Sequence, residues 1–415
     1  MKKAAVSFIF ITLLLDVIGL GIIIPVMPKL IVELTGVGLA EAASKGGDLM
    51  IVYAIFQFIC APIVGGLSDK IGRRPVLLLS LLGFGLDYLL LAFAPTYAWL
   101  FAGRILAGIF GASFTTCSAY IADVSTPENK AQNFGMIGVA FGIGFILGPF
   151  IGGILGGEFG TRAPFYAASI VSLINMLYGF FILPESLDEE NRREFSWKRA
   201  NPLGTITKIL RFPKLSAMLF GLFFVYIASH AVQSTWNYYT EDQFQWNMKM
   251  VGYSLGFVGI LSALVQGGLI RIVIPKLGQL WSIIFGFGFY IIGLVLFAFA
   301  NESWMLYAIL VLYCLGGIAG PALQGYMSNL VGKDEQGELQ GAISAMMSLS
   351  LIGGPYIMTK TYAYFANPEN EVVFPGAAFM LGAFFALLSL ILIVRAMRKY
   401  GSVEAEIKTE AEIEA

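Results

Sequence analysis

Charge is what this 415-residue chain has least of. Asp, Glu, Lys and Arg make up only 13% of it, against about 25% in soluble globular proteins. That shortfall excludes a set of water-solvated domains, because no long polar surface exists to cover them. The net charge of -1 gives no whole-chain basic surface for a nucleic-acid partner. There is one histidine, His230, and there are three cysteines, Cys60, Cys117 and Cys314. Thiols scattered through apolar stretches have neither metal-ligand spacing nor the pairing of a disulfide framework. With one histidine and no clustered nucleophile, base or metal ligands, an enzyme is disfavoured. No small-residue cleavage site interrupts the apolar run that follows Lys2-Lys3 and continues through Val32. It is expected to persist as a first helix rather than be removed as a signal.

What the chain has instead is long apolar runs: 57% of its residues are hydrophobic and its mean hydropathy is +0.77. A bilayer-spanning helix takes about 20 mainly apolar residues. Such segments lie at 5–32, 48–68, 75–94, 97–121, 133–156, 163–184, 215–239, 250–274, 280–300, 303–327, 338–360 and 373–396. The expected fold class is an all-α polytopic membrane protein with twelve transmembrane helices in two pseudo-symmetric six-helix bundles. The longest polar interval, Pro184 to Lys214, carries the solvated run Glu189-Glu190-Asn191-Arg192-Arg193 and parts six segments from six. The chain thus divides into an N-terminal bundle (1–184), a central cytoplasmic loop (185–214), a C-terminal bundle (215–400) and a cytoplasmic tail (401–415).

Lysine and arginine set the orientation. With the N-terminus inside, twenty of the 26 fall in inward loops and termini. Five face outward (Lys29, Lys45, Arg162, Lys249 and Lys360), and Arg104 lies within a helix. This bias puts both termini in the cytoplasm. A gapless repeat at a spacing of 206 residues pairs Gly111 with Gly317, Tyr120 with Tyr326, Glu128 with Asp334, Gly135 with Gly341 and Gly148-Pro149 with Gly354-Pro355. Each copy has an even number of spans, so both keep one orientation, as in carriers built from parallel repeats.

The densest polar motif joins the second and third segments: Gly65-Gly66-Leu67-Ser68-Asp69-Lys70-Ile71-Gly72-Arg73-Arg74-Pro75-Val76-Leu77. Gly72 suits a tight turn, where other residues resist positive φ. Asp69 can pair with Arg73 or Arg74, or meet the positive end of another helix, and so latch the cytoplasmic side. A plain positive-inside anchor is the simpler reading of the two arginines. Asp123 ends the fourth segment, ahead of Ser125-Thr126-Pro127-Glu128, and either joins that latch or sits idle at the surface; the repeat puts Asn329 opposite it.

Asp16 and Asp87 sit deep in apolar segments, where an ionised carboxylate is costly. Proton coupling needs groups of that kind, which take and release a proton. Arg104 keeps its charge when buried and is their natural partner. A packing hydrogen bond near Pro25 is the alternative for Asp16, and a structural ion pair with Arg104 for Asp87. Pro149 lacks a backbone donor and weakens its helix. With Gly144, Gly148, Gly152 and Gly153 it suits a hinge, a seal against proton leak, or close packing. Gln57, His230, Gln233, Trp236, Asn237, Gln266 and Gln324, with Tyr238 nearby, are candidates for a midplane cavity with hydrogen-bonding and aromatic faces. Packing explains each of them singly.

The loop motif resembles the signature of the major facilitator superfamily, matching Gly-x-Leu-x-Asp-x-x-Gly-Arg-Arg-x-x-Leu throughout. Leu100, Arg104, Gly108, Gly111 and Ala112 resemble that superfamily's fourth-helix pattern, and residues 144–153 its antiporter pattern in helix five. Leu15-Asp16-Val17-Ile18-Gly19-Leu20-Gly21, Leu86-Asp87-Tyr88 and Gly320-Pro321-Ala322-Leu323-Gln324 are similar to bacterial tetracycline/proton antiporters. The resemblance implies the major facilitator fold and a monomer in the bacterial inner membrane. It further implies proton-driven efflux of a small amphipathic drug by alternating access, without a cofactor. The chain departs from that pattern in helix nine, Trp281 to Ala300, which has no acid; Tyr290 stands about where one is expected. The second-half copy of the loop is eroded to Pro275-Lys276-Leu277-Gly278. The alternative within transport is an exporter or facilitator of an endogenous metabolite, lipid precursor or siderophore. A membrane receptor or scaffold fits poorly with the two-fold repeat and the buried acids.

Overall fold

A computed structural model of the chain describes residues 2–111, 113–125, 130–197, 215–332 and 336–413. Ala112, the 126–128 turn, Asp334 and the 198–214 part of the central loop lie outside the described residues. The long elements among those described are all helices. They are α1 (Lys2–Ile22), α2 (Met27–Thr35), α3 (Leu39–Ile71), α4 (Arg73–Ala92), α5 (Tyr97–Gly111), α6 (Ser113–Val124), α7 (Lys130–Phe159) and α8 (Ala163–Ile182). After the central loop come α9 (Ser216–Phe244), α10 (Met248–Leu264), α11 (Ile270–Ala298), α12 (Ser303–Leu315), α13 (Ala319–Asn329), α14 (Gln336–Ala366) and α15 (Ala377–Ile413).

Among the described residues, eleven stretches are long and apolar enough to cross a bilayer. Two of the twelve expected segments share one of them, Met248–Ala298, a run of 51 residues. They part at Gly278, where the backbone leaves the helical region with φ 74° and ψ 168°. Gly72, between α3 and α4, has nearly the same conformation, φ 104° and ψ 159°. The two glycines are 206 residues apart, which is the spacing of the sequence repeat. Only glycine occupies that region without strain. The duplicated turn therefore survives in the second half although its charged neighbours do not.

The chain forms two compact units. One comprises Met1–Pro202 with Trp236–Ile260 and Tyr362–Val373. Its core gathers Phe8, Ile9, Leu13, Leu77, Tyr120 and Ile137 from α1, α4, α6 and α7. The other comprises Leu203–Thr235, Leu261–Thr361 and Phe374–Ala415, with Leu219, Ile283, Phe287, Leu323, Met346 and Ile393 at its centre. Within this second unit a π-helical turn, Val265–Leu269, links α10 to α11.

Lipid tails are as apolar as leucine, so helices in a bilayer associate through small residues and polar bonds rather than through hydrophobic burial. The first unit follows that rule. A Cβ on Gly148 would come within 2.7 Å of the Gly21 Cα and 2.8 Å of the Ile18 carbonyl; on Gly144 it would meet the Val17 Cβ at 2.7 Å. One on Gly152 would overlap the Ile22 carbonyl. These three glycines, four residues apart, form the stripe on which α7 lies against α1. Gly153, on the next face, approaches the Gly252 Cα of α10 to 2.9 Å by the same measure. Buried hydroxyls complete the packing of α8: Ser169 donates to the Gly85 carbonyl at 2.7 Å and Ser172 to that of Leu81 at 2.9 Å. The Asn175 amide donates to the Thr12 carbonyl at 3.1 Å. Pro149 is accommodated inside a continuous α7.

Glycine is disfavoured in a helix by about 1 kcal/mol relative to alanine, so close contact decides the sign of each replacement. Gly152→Ala is expected to lower the thermal midpoint, overpacking costing about 1–3 kcal/mol. Gly142→Ala, with nothing within 4 Å of its Cβ, is expected to leave it unchanged or raise it. Melting curves of the two purified variants check this.

Candidate functional site

The loop between α3 and α4 closes on a single guanidinium. Arg73 is 8% exposed. Its NH1 donates to Asp69 Oδ1 at 2.5 Å and to Ser68 Oγ at 2.7 Å, and its Nε to Asp123 Oδ2 at 3.1 Å. A planar fork with several donors is what lets one side chain hold three acceptors. Asp69, Arg73 and Asp123 are thus brought together as the sequence suggested. Arg74 is not part of that pairing; its NH2 donates to the Phe180 carbonyl at 2.6 Å while the guanidinium lies over the Phe180 ring.

Glu185 completes the arrangement, and its role could not be read from the sequence. Its Oε1 accepts from the amides of Arg73 at 2.8 Å, Ser186 at 2.9 Å and Leu187 at 3.2 Å. Oε2 accepts from the Arg74 amide at 3.2 Å. A carboxylate thus caps the positive N-terminus of α4 from 112 residues away in sequence. Any side chain at Gly72 would collide with it, so that glycine is required by space as well as by φ. The loop following α8 is tied in by Ser186, which donates to Asp123 Oδ2 at 3.0 Å, and by the Arg193 amide, which donates to the Asp69 carbonyl at 2.9 Å. Its only sequence signal was position, the first charge after the sixth apolar segment.

Deeper in the same unit, Asp87 on α4 is fully buried, with an oxygen 3.5 Å from NH2 of Arg104 on α5. Among the described residues, neither carboxylate oxygen of Asp87, nor Nε or NH2 of Arg104, makes a hydrogen bond. The charges are adjacent but not locked. Gly103 gives them room, since a Cβ there would sit 2.8 Å from Asp87 Oδ1. Asp16 on α1 is half-buried and pairs with no basic side chain among the described residues. Tyr88 lies within electrostatic reach of Asp16, Asp87 and Arg104, and Tyr53 within reach of the last two. The Gln57 amide is 3.0 Å from the Tyr53 hydroxyl and 3.4 Å from the Gly111 carbonyl. Gln57, Asp87 and Arg104 thus gather around Tyr53, and Asp16 comes within reach of Asp87 and Arg104 only through Tyr88, with room made by a glycine that sequence reasoning had not singled out.

At the far end of α3 from the latch, the first unit is sealed by the ends of α9, α10 and α14. The Asn237 amide donates to the Ile24 carbonyl at 2.6 Å. The Tyr362 hydroxyl bridges the Tyr238 carbonyl and Asp242, each at 3.2 Å. Lys249 forms an ion pair with Glu158. Tyr238 packs against Gly46, and Gly153 and Gly157 against Met248 and Lys249. The helix-five glycine pattern is thus a two-sided packing surface.

The other candidates for a cavity are differently placed. Trp236 is buried, its indole donating to Ser254 Oγ at 2.9 Å, and Asn237 belongs to the seal. His230, in the second unit, is buried against Gly354. Gln233, Gln266 and Gln324 are exposed; Gln324 bonds to Tyr226, and Gln266 lies in the π-helical turn. Tyr290 lies against Tyr313 in a tilted pair, 5.0 Å between ring centroids, and packs on Gly316.

Comparison with known proteins agrees with this geometry. The family model of the Major Facilitator Superfamily matches residues 9–355. The class C tetracycline resistance protein of Escherichia coli is 39% identical over 379 residues, 91% of this chain and 93% of that protein. The class E protein of the same organism is 37% identical, covering 94% of each. Among solved structures, the human organic anion transporter MFSD10 (TETRAN) superposes with a TM-score of 0.71 at 22% identity, over 94% of this chain and 99% of that one. At that identity the likeness speaks for the fold alone. The chain belongs to the Major Facilitator Superfamily and is a multi-pass membrane protein.

Proposed function

We propose that this protein exports a small amphipathic, drug-like compound in exchange for protons by alternating access, from a bacterial inner membrane with both termini in the cytoplasm. The observation that carries the reading is the buried, unlocked Asp87–Arg104 pair beside Asp16. A charge buried without hydrogen bonds is costly, and protonating Asp87 or Asp16 removes one. Arg104 then changes partners, and the helices that hold it are free to move. Proton binding and cargo binding become competing ways of satisfying one cluster. The similarity to tetracycline resistance proteins supports efflux as the direction. No cofactor is required, since the proton gradient supplies the energy, and we read the working unit as a monomer.

In this reading the first six-helix bundle handles protons through Asp16, Asp87 and Arg104. Gln57, His230, Gln233, Trp236, Asn237, Gln266 and Gln324 contribute to the cargo path, the exposed glutamines directly and the buried His230 and Trp236 by shaping the helices that carry it. Asp69, Arg73, Asp123 and Glu185 form the cytoplasmic latch, with Arg74, Gly65 and Gly72 shaping its loop. The Gly144–Gly153 surface closes the outward side. A second reading, export of an endogenous metabolite, lipid precursor or siderophore, is favoured by Tyr290. The helix-nine position where the tetracycline exporters carry an acid is occupied here by a phenol packed against Tyr313.

Imposed-pH-gradient transport in proteoliposomes tests the proton role. Asp16→Asn and Asp87→Asn are each expected to reduce gradient-driven flux to background, with folding checked by melting temperature; undiminished flux in both would exclude the coupling assigned to them. The latch gives a separate expectation. Loss of a helix cap costs about 0.5–2 kcal/mol, so Glu185→Ala should loosen the start of α4. Glu185→Ala and Asp69→Ala should both slow transport and speed maleimide labelling of a cysteine introduced at the exposed Leu67. Unchanged labelling in both would refute a latch.

A further inference from the structure

Beside the latch lies a cleft of about 300 Å³, lined by Ile71, Arg74, Pro75, Leu183, Pro184, Glu185 and Arg192. Two guanidinium groups face it from different elements, and the Nε of each is buried without a hydrogen-bond partner. Among the described residues, the Arg74 side chain is held through NH2 on the Phe180 carbonyl and by the Phe180 ring. Arg192 meets Glu189 at a distant 3.8 Å. The third charged lining group, Glu185, is already satisfied by backbone amides on both oxygens. Among the described residues it forms no ion pair with Arg74 or Arg192. The cleft is thus lined by two guanidinium groups and one carboxylate, an excess of one positive charge.

Its surroundings say what kind of molecule carries that acceptor. Pro75, Leu79 and Leu86 run along the outer face of α4, and Ile170, Ile174, Leu177 and Phe181 along that of α8, all exposed. Phe181, 79% exposed, stands one turn from the cleft. The two helices are packed neighbours, so these faces make one apolar strip that ends at the arginines. Orientation by positive charge puts this end at the cytoplasmic leaflet, where anionic headgroups lie. An apolar strip capped by two guanidinium groups matches an acyl chain capped by a phosphodiester.

We propose that this cleft binds the phosphodiester headgroup of an anionic phospholipid through Arg74 and Arg192, with an acyl chain lying along α4 and α8. Because both the ligand and the latch use the start of α4, lipid occupancy holds Arg74 and Glu185 in the arrangement observed. The inference concerns a site outside the transport path and stands whether or not the cargo assignment is right.

The test uses the full-length protein in detergent, titrated with phosphatidylglycerol, phosphatidylcholine or glycerol phosphate, with bound lipid counted by native mass spectrometry and stability by melting temperature. Phosphatidylglycerol is expected to be retained and to raise the melting temperature, and phosphatidylcholine to do so less. Arg192→Gln, in a loop and outside the core, should weaken that retention by about tenfold or more, as expected for losing charge-assisted bonds. Arg74→Gln should do likewise. Retention of phosphatidylglycerol by both variants at the level of the unaltered protein overturns the proposal. So does an equal response to glycerol phosphate, which would make the cleft a free-anion site rather than a lipid site.

Discussion

Helices in a bilayer gain nothing by hiding apolar side chains from lipid, so the contact between α1 and α7 must be made another way. It is made by absence. Gly144, Gly148 and Gly152 carry no side chain and let the two backbones approach until a single added carbon would touch main-chain atoms or the Val17 side chain. Dispersion contacts at that range are individually small and collectively decisive. The remaining packing of the first unit depends on that contact. With α1 held to one face of α7 and the end of α10 to the next, the positions of Asp16 and Asn237 follow.

Polar groups are then added sparingly, and each class is treated differently. Donors such as the Ser169 and Ser172 hydroxyls and the Asn175 amide are spent on neighbouring carbonyls, which pins α8. Arg73 is also engaged, by Ser68, Asp123 and the partly exposed Asp69. Asp87 and Arg104 differ from these: they are opposite charges, buried and 3.5 Å apart, and neither carboxylate oxygen is hydrogen-bonded among the described residues. Other buried polar atoms lack partners too, among them the Thr12 and Thr116 hydroxyls and the Nε of Arg74 and Arg192, but Asp87 is the one carboxylate in that set. Looseness is what a reversible proton site needs, because a fully bonded carboxylate would resist protonation.

Much of the fold was legible because lipid imposes a length on every apolar run. The segment list and the glycine turn at 72 follow from length and one conformational rule. The 206-residue register even anticipates the turn at Gly278. Side-chain direction was not legible. A soluble helix shows its buried face by amphipathicity, whereas here both faces are apolar and the pattern is nearly silent. His230 and Trp236 were therefore grouped with Gln233 and Gln266 as cavity residues, although the first two are buried and the last two exposed. Glu185 escaped notice for a different reason: its partners are backbone amides, and nothing in a sequence marks an unpaired amide far away along the chain.

The two halves show which parts of a duplicated carrier are held by geometry and which are free. Gly72 and Gly278 keep one backbone conformation, and Gly148-Pro149 and Gly354-Pro355 both sit in close helix contacts, against α1 and against His230. The charges did not follow. Asp123 corresponds to Asn329, Arg73 to Gln279, and Asp87 to Gly293, itself packed on Tyr313. Backbone turns and close contacts are needed in both copies for either to fold, so they persist. In the reading proposed above, one proton cluster and one latch serve each transport cycle, and a second set would only add buried charge that lipid penalises. A second half without that cluster is then the expected end state of such a carrier, rather than a decayed copy of the first.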